Sequence, residues 1–197
     1  MPRDSRSITA DDIMDLGAYE TIRAEKREEA ILRKRFRRLS VGPHVTVTFE
    51  NWDSMWMQVQ EMLRIEKGGA DQLVDELAAY NPMIPDGREL TATLMFEIDD
   101  PRIRDRILRG LGGVEDHIAI TLGEDRIAAV PEGDVARTRS DGKASSVHFL
   151  HFPFTDDQVA RWKAGEAQAT FRIDHPNYGH IALIGPDVRR ELANDFA

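Results

Sequence analysis

Residues 42–67, GPHVTVTFENWDSMWMQVQEMLRIEK, carry the clearest structural signal in the chain. From His44 to Glu50 polar and apolar side chains alternate without interruption. Successive side chains of an extended strand point to opposite faces, so Val45, Val47 and Phe49 share one face and His44, Thr46, Thr48 and Glu50 the other. The period then changes. Trp52, Met55, Trp56, Val59, Met62 and Leu63 recur at helical spacing, behind Asn51 or Asp53 as a cap, with Gly68-Gly69 as the stop. A strand that runs straight into an amphipathic helix predicts a sheet with one face on a core and polar groups beside the helix.

Outward from this unit the remaining elements follow from the same periodicities. Thr9 and Asp12 have capping-box spacing and open a helix through Ile13, Leu16, Tyr19 and Ile22 that continues past Phe36 to Gly42-Pro43. A shorter helix uses Leu73, Val74 and Leu77. Thr91 to Ile98 alternates again, with Ala92, Leu94, Phe96 and Ile98 on one face and Thr91, Thr93, Met95 and Glu97 on the other. Pro101 and Pro186 each suit the first position of a helix, and Thr155 with Gln158 forms another capping box. Strands are expected at 117–122, 126–130, 146–152, 167–173 and 181–184, the last two joined by the turn Asp174-His175-Pro176-Asn177. Strands follow one another by short links and no regular βαβ alternation is present. The expectation is one α+β domain over 8–197: a mainly antiparallel sheet of about six or seven strands flanked by helices. A flexible segment at 1–7 and a mobile, polar loop near 131–145 complete it.

Composition narrows the chemistry. The 197 residues contain no cysteine, which excludes disulfides, thiolate catalysis and cysteine-ligated metal centres. The net charge of −9 argues against general affinity for nucleic acid or an anionic membrane. Between Arg23 and Arg38, however, eight basic and three acidic residues give a local balance of +5, which leaves −14 for the rest. That asymmetry reads as a solvated helix facing an acidic body. No apolar run approaches a membrane span and the first dozen residues lack a signal-peptide core, so the expected location is the cytoplasm.

No complete catalytic motif appears: HExxH, GxSxG and the phosphate-cradling glycine loop are all missing. If their strands are neighbours, His44, Glu50, Glu97 and His148 form a polar set suited to a mononuclear or dinuclear iron, manganese or zinc site. Gln60, Glu61 and Arg64 share the polar side of the helix after Glu50, where Arg64 has the planar fork of an anion clamp. Asp174 and His175 place a carboxylate and a titratable ring on one turn, and Asn81 ends a helix before Pro82.

The strings GPHVTVTFEN, QVQEMLRIEK, ELAAYNPMIPDG, SSVHFLHF and DHPNY, in that order, resemble an uncharacterised bacterial family classed as a domain of unknown function. The resemblance implies encoding near rubrerythrin-like and heterodisulfide-reductase-like iron–sulfur proteins. It thereby implies a redox or oxidative-stress setting with such proteins as partners. It nominates His44, Glu50, Gln60, Glu61, Arg64, Asn81, His148, Asp174 and His175 as ligand- or metal-binding positions. The leading expectation is a cytoplasmic metal- or small-ligand-binding accessory protein. Its alternatives are a non-haem metalloenzyme acting on peroxide or oxygen, and a module that docks an iron–sulfur partner through the basic helix.

Overall fold

In the computed structural model, which describes residues 6–133, 138 and 141–197, the strand–helix unit forms as its alternation dictates. β1 (Arg38–Val41), β2 (Val45–Phe49) and β3 (Glu89–Phe96) pair antiparallel, and β7 (Val147–Pro153) adds to the far side of β3. A two-residue β6 (Val130–Pro131) completes a five-strand sheet in the order β1-β2-β3-β7-β6. A second sheet, in the order β5-β4-β8-β9, contains β4 (Ile118–Leu122), β5 (Asp125–Ala128), β8 (Ala169–His175) and β9 (Tyr178–Leu183). Among the described residues, then, the α+β reading with antiparallel strands is correct, and the strands divide into sheets of five and four.

The inner faces of the two sheets share one core. Val45, Val47 and Phe49 of β2, Leu94 and Phe96 of β3, and Leu150 and Phe152 of β7 meet Ile120, Phe171 and Ile173 of the second sheet. Phe171 takes both Phe49 and Phe152 edge-on, with ring centroids 6.3 and 5.6 Å away, a preferred aromatic geometry. Helices cover the outer face of the first sheet: α1 (Leu16–Lys34), α2 (Trp52–Glu66) and α3 (Gly69–Tyr80). A smaller apolar cluster of Ile8, Trp52, Met55, Met83 and Ile84, with Leu77, Tyr80 and Phe149 packed on it, fastens α2 and α3 there. The shorter helices α4 (Pro101–Arg109), α5 (Asp156–Ala164) and α6 (Pro186–Leu192) close the remaining ends, with Trp162 of α5 fully inside the core.

Several boundaries differ from the sequence expectation, β9 by starting at Tyr178 instead of 181 among them. Thr9 and Asp12 cap only a single 3-10 turn, and α1 begins after Asp15, whose carboxylate accepts from the amides of Gly17 and Ala18. α1 also stops earlier than its charge pattern indicates, because Arg37, Leu39 and Val41 alternate inward as β1. The left-handed position after α2 belongs to Lys67, at φ 55°, one residue before the glycine pair. β1 and β2 are joined across Gly42, whose φ of 69° favours glycine and where an added Cβ would come within 2.6 Å of the His180 ring. Of the loop expected near 131–145, residues 134–137, 139 and 140 lie outside the described residues, as do 1–5 of the N-terminal segment. No helix among the described residues is long and apolar enough to cross a membrane.

Candidate functional site: a cavity under the helical layer

The outer face of the first sheet does not close completely against α1 and α2. Between them lies a cavity of about 380 Å³, within the range of roughly 300–1,000 Å³ usual for small-molecule sites. Its floor follows from strand register. Thr48, Thr93 and Phe149 stand side by side on β2, β3 and β7, with Met95 and Val147 as the next row. One wall is α2, which contributes Ser54, Met55, Met57, Gln58 and Glu61; the opposite wall is α1, through Ala30, Arg33 and Lys34, continued by Arg37 in the turn before β1. Tyr80, at the end of α3, closes one side.

Glu50 sits where β2 turns into α2, only 7% exposed. Each carboxylate oxygen accepts one hydroxyl hydrogen bond, from Thr93 Oγ1 and from Ser54 Oγ, both at 2.7 Å. Ser54 also donates its backbone N–H to Asn51 Oδ1 at 3.0 Å, as part of the capping box of α2. The carboxylate is thus held in one orientation at a helix amino end, where the helix dipole favours an anion. Around it, the arginines of α1 and of the turn that follows it are engaged elsewhere. Arg33 pairs with Asp53 at 2.5 Å. Arg37, 3% exposed, donates to the carbonyls of Phe49 and Glu50 at 3.0 and 2.9 Å and pairs with Glu191 and Asp195. Glu61 accepts from Arg23 at 2.7 and 3.0 Å and from Tyr19 Oη at 2.7 Å. Arg23 and Tyr19 together draw its carboxyl down to about 2, whereas burial, then Glu61 itself, push the Tyr19 phenol up.

Residues 7–196 match the family described as "Protein of unknown function (DUF3501)". The chain belongs to that family. It is also similar to a solved structure from Burkholderia pseudomallei K96243, described as a novel protein of unknown function. The two are 36% identical, with a TM-score of 0.90, over 97% of this chain and 100% of that one. No curated protein gives a significant match.

Within this family member the nominated residues scatter. Glu50 and Glu61 line the cavity. His148 does not share a face with Glu50: its register, Val47 beside Leu94 beside His148, puts it on the inner, apolar face. There it is fully buried, edge-on to Phe96 and 3.0 Å from the Ser145 carbonyl. Glu97 faces outward with Glu50 but lies at the other end of the strands, six residues along from the Thr91 that Glu50 pairs with, or about 20 Å at ~3.3 Å per residue. It accepts from Thr46 Oγ1 at 2.6 Å and from exposed Arg38 at 3.1 Å. His44 is tied by its backbone N–H to Tyr178 Oη at 3.0 Å. The four expected metal ligands therefore do not converge, and among the described residues no three His, Asp or Glu side chains stand as a metal site.

The expected ligand-binding set disperses in the same way. Gln60 is buried, with its amide nitrogen 3.5 Å from the Met14 carbonyl. Arg64 reaches across to Glu20 on α1 at 2.5 Å instead of pairing with Glu61. Asn81 exchanges two hydrogen bonds with the backbone of Ile8, at 2.7 and 3.0 Å, and so pins the N-terminal segment. Asp174 pairs with Arg126 and Arg172 on the second sheet, and His175 packs edge-on against His117.

Sequence reasoning missed the hydroxyls of Ser54 and Thr93, the floor residues Met95 and Phe149, and His151. The signal for His151 was present: it shares strand parity with Val147 and Phe149, whereas His148 shares it with Leu150 and Phe152. His151 stands between Glu89 at 3.0 Å and Glu132 at 2.7 Å, and these carboxylates hold its pKa above the usual histidine value.

Proposed function

We propose that this chain is a small-molecule-binding protein whose site is the cavity between α1, α2 and the outer face of the first sheet. The observation that carries the reading is the placement of a buried, hydroxyl-oriented carboxylate, Glu50, beside walls of methionine and aromatic side chains. Binding sites of this kind combine an apolar lining with a few fixed polar groups that orient the ligand, and methionine adapts to varied ligand shapes. The metal-binding half of the sequence expectation loses its residues, since His44, Glu97 and His148 stand apart from Glu50. The setting implied by resemblance remains part of the proposal: a bacterial, cytoplasmic accessory role beside rubrerythrin-like or other iron–sulfur redox proteins.

The test uses protein labelled with 13C at its seven methionine methyls. Titration with small apolar compounds of several shapes, such as indole, naphthalene derivatives and medium-chain alcohols, is expected to shift Met55, Met57 and Met95 saturably. Met14 and Met62 are expected to stay unmoved. Met95→Trp, which fills the floor, should abolish the response. Absence of a saturable shift from every compound, or an equal response in the filled variant, would remove the cavity as a binding site.

A further inference from the structure

The polar content of the cavity specifies the head group of what it holds, given the binding role proposed above. Glu50 makes no ion pair among the described residues; its two contacts are the neutral hydroxyls of Thr93 and Ser54. A carboxylate has roughly four acceptor positions, so two remain for a ligand. The charged side chains around the cavity do not use them. Arg37 is directed at two backbone carbonyls and at Asp195 and Glu191, Arg33 at Asp53, and Arg23 at Glu61. Lys34 is solvent-exposed at the rim. A buried carboxylate whose neighbouring arginines are already committed is a poor site for an anion and a strong acceptor for a charged N–H donor.

We infer that the ligand is an organic cation: an ammonium or amidinium nitrogen that donates to Glu50, carried on an apolar body that lies over Met95, Val147 and Phe149. The sheet floor suits that body because these three side chains are half-buried and contiguous across β3 and β7. Methionine sulfur and the Phe149 ring face add favourable contacts to an aromatic or cationic group.

The experiment compares two probes of nearly equal shape on the full chain, 2-phenylethylamine and 2-phenylethanol, by calorimetry at pH 7 with the methionine methyls as a site reporter. A charge-assisted hydrogen bond is expected to make the amine about tenfold or more tighter than the alcohol. Glu50→Gln should erase that advantage by weakening the amine far more than the alcohol, whose neutral O–H donor loses only part of its bond. Equal affinity for the two probes on the unmodified protein would overturn the inference and needs no variant, so it stands even if Glu50→Gln folds poorly. Undiminished amine binding by a folded Glu50→Gln protein would also overturn it. In both cases the cavity reading survives, because the Met95 response to the apolar series is measured separately. Binding of neither probe counts against the cation, and the apolar series then decides the cavity on its own.

Discussion

Removal of Arg37 provides a demanding test of how the basic segment is used. This side chain stands just before β1, where its guanidinium joins the end of β2 to the C-terminal segment. Arg37→Met keeps an apolar stem and deletes two hydrogen bonds to carbonyls and two ion pairs. Deleting one partner of a buried ion pair costs about 3–5 kcal/mol, and the cost should depend on pH in a defined direction. Burial outweighs the attraction of Arg37 and pushes the Asp195 carboxyl from 3.8 up to about 6. A folded pKa above the unfolded one means that the native state holds the extra proton. The contribution of this group to stability is therefore full below about pH 4 and falls as pH rises through about 6, by roughly 3 kcal/mol. Without Arg37 the carboxyl is pushed higher still, and the fall extends to higher pH. Urea denaturation of both proteins at pH 5 and pH 8 measures this. The variant should lose clearly more stability at pH 8, where the parent ionises Asp195 beside a cation and the variant cannot. An equal loss at both pH values, or a smaller one at pH 8, would refute the coupling.

Three other outcomes are expected. Glu61→Gln should cost about 2 kcal/mol at pH 7 by weakening its bonds to Arg23 and Tyr19. Because the folded pKa is depressed to about 2, that stabilisation is present above the unfolded value near 4.5 and is lost as pH falls toward 2. Denaturation curves for the variant and parent should therefore converge in strong acid. His151, raised by Glu89 and Glu132, contributes stability that is full below about pH 6.5 and is lost as pH rises through its folded pKa. Its ring signals in a proton NMR titration should show a midpoint above the ordinary histidine value, reduced in Glu89→Gln. Gly42→Ala should lower stability by more than about 1 kcal/mol, since the position has φ 69° and the new methyl would come within 2.6 Å of the His180 ring; thermal melting checks this.

The parts of the fold legible in sequence are those set by local period. β2 and β3 alternate cleanly, and their two faces divide as expected, with Val45, Val47, Phe49, Leu94 and Phe96 in the core. The box Thr155–Gln158 is likewise local chemistry, and so is the turn between β8 and β9, although it is tighter than expected: Asp174 and His175 are paired in β8 and only Pro176-Asn177 form the turn. β1 was hidden because Arg37 and Arg38 continue a run of basic residues that looks helical, although Arg37, Leu39 and Val41 keep a strand period. Four members of that run pair with acidic residues on other elements, Arg23 and Arg33 from α1 and Arg37 and Arg38 from the turn and strand after it. The site was less legible because it depends on strand order. Glu50 finds Thr93 43 positions away, and Arg37 finds Asp195 158 positions away. Nothing local announces either meeting. His148 is different: parity was readable, and the apolar company of Leu150 and Phe152 already assigned it to the core.

The central claim is that a small molecule occupies the space above Thr93, Met95 and Phe149. The most direct measurement is a set of intermolecular NOEs between bound 2-phenylethylamine and the 13C-labelled methionine methyls. The account predicts contacts from the ligand ring to Met95 and Met57, together with line broadening of the ligand methylene beside the amine that disappears in Glu50→Gln. Saturating amine with Met95 and Met57 silent, or contacts confined to Met14 or Met62, would contradict it.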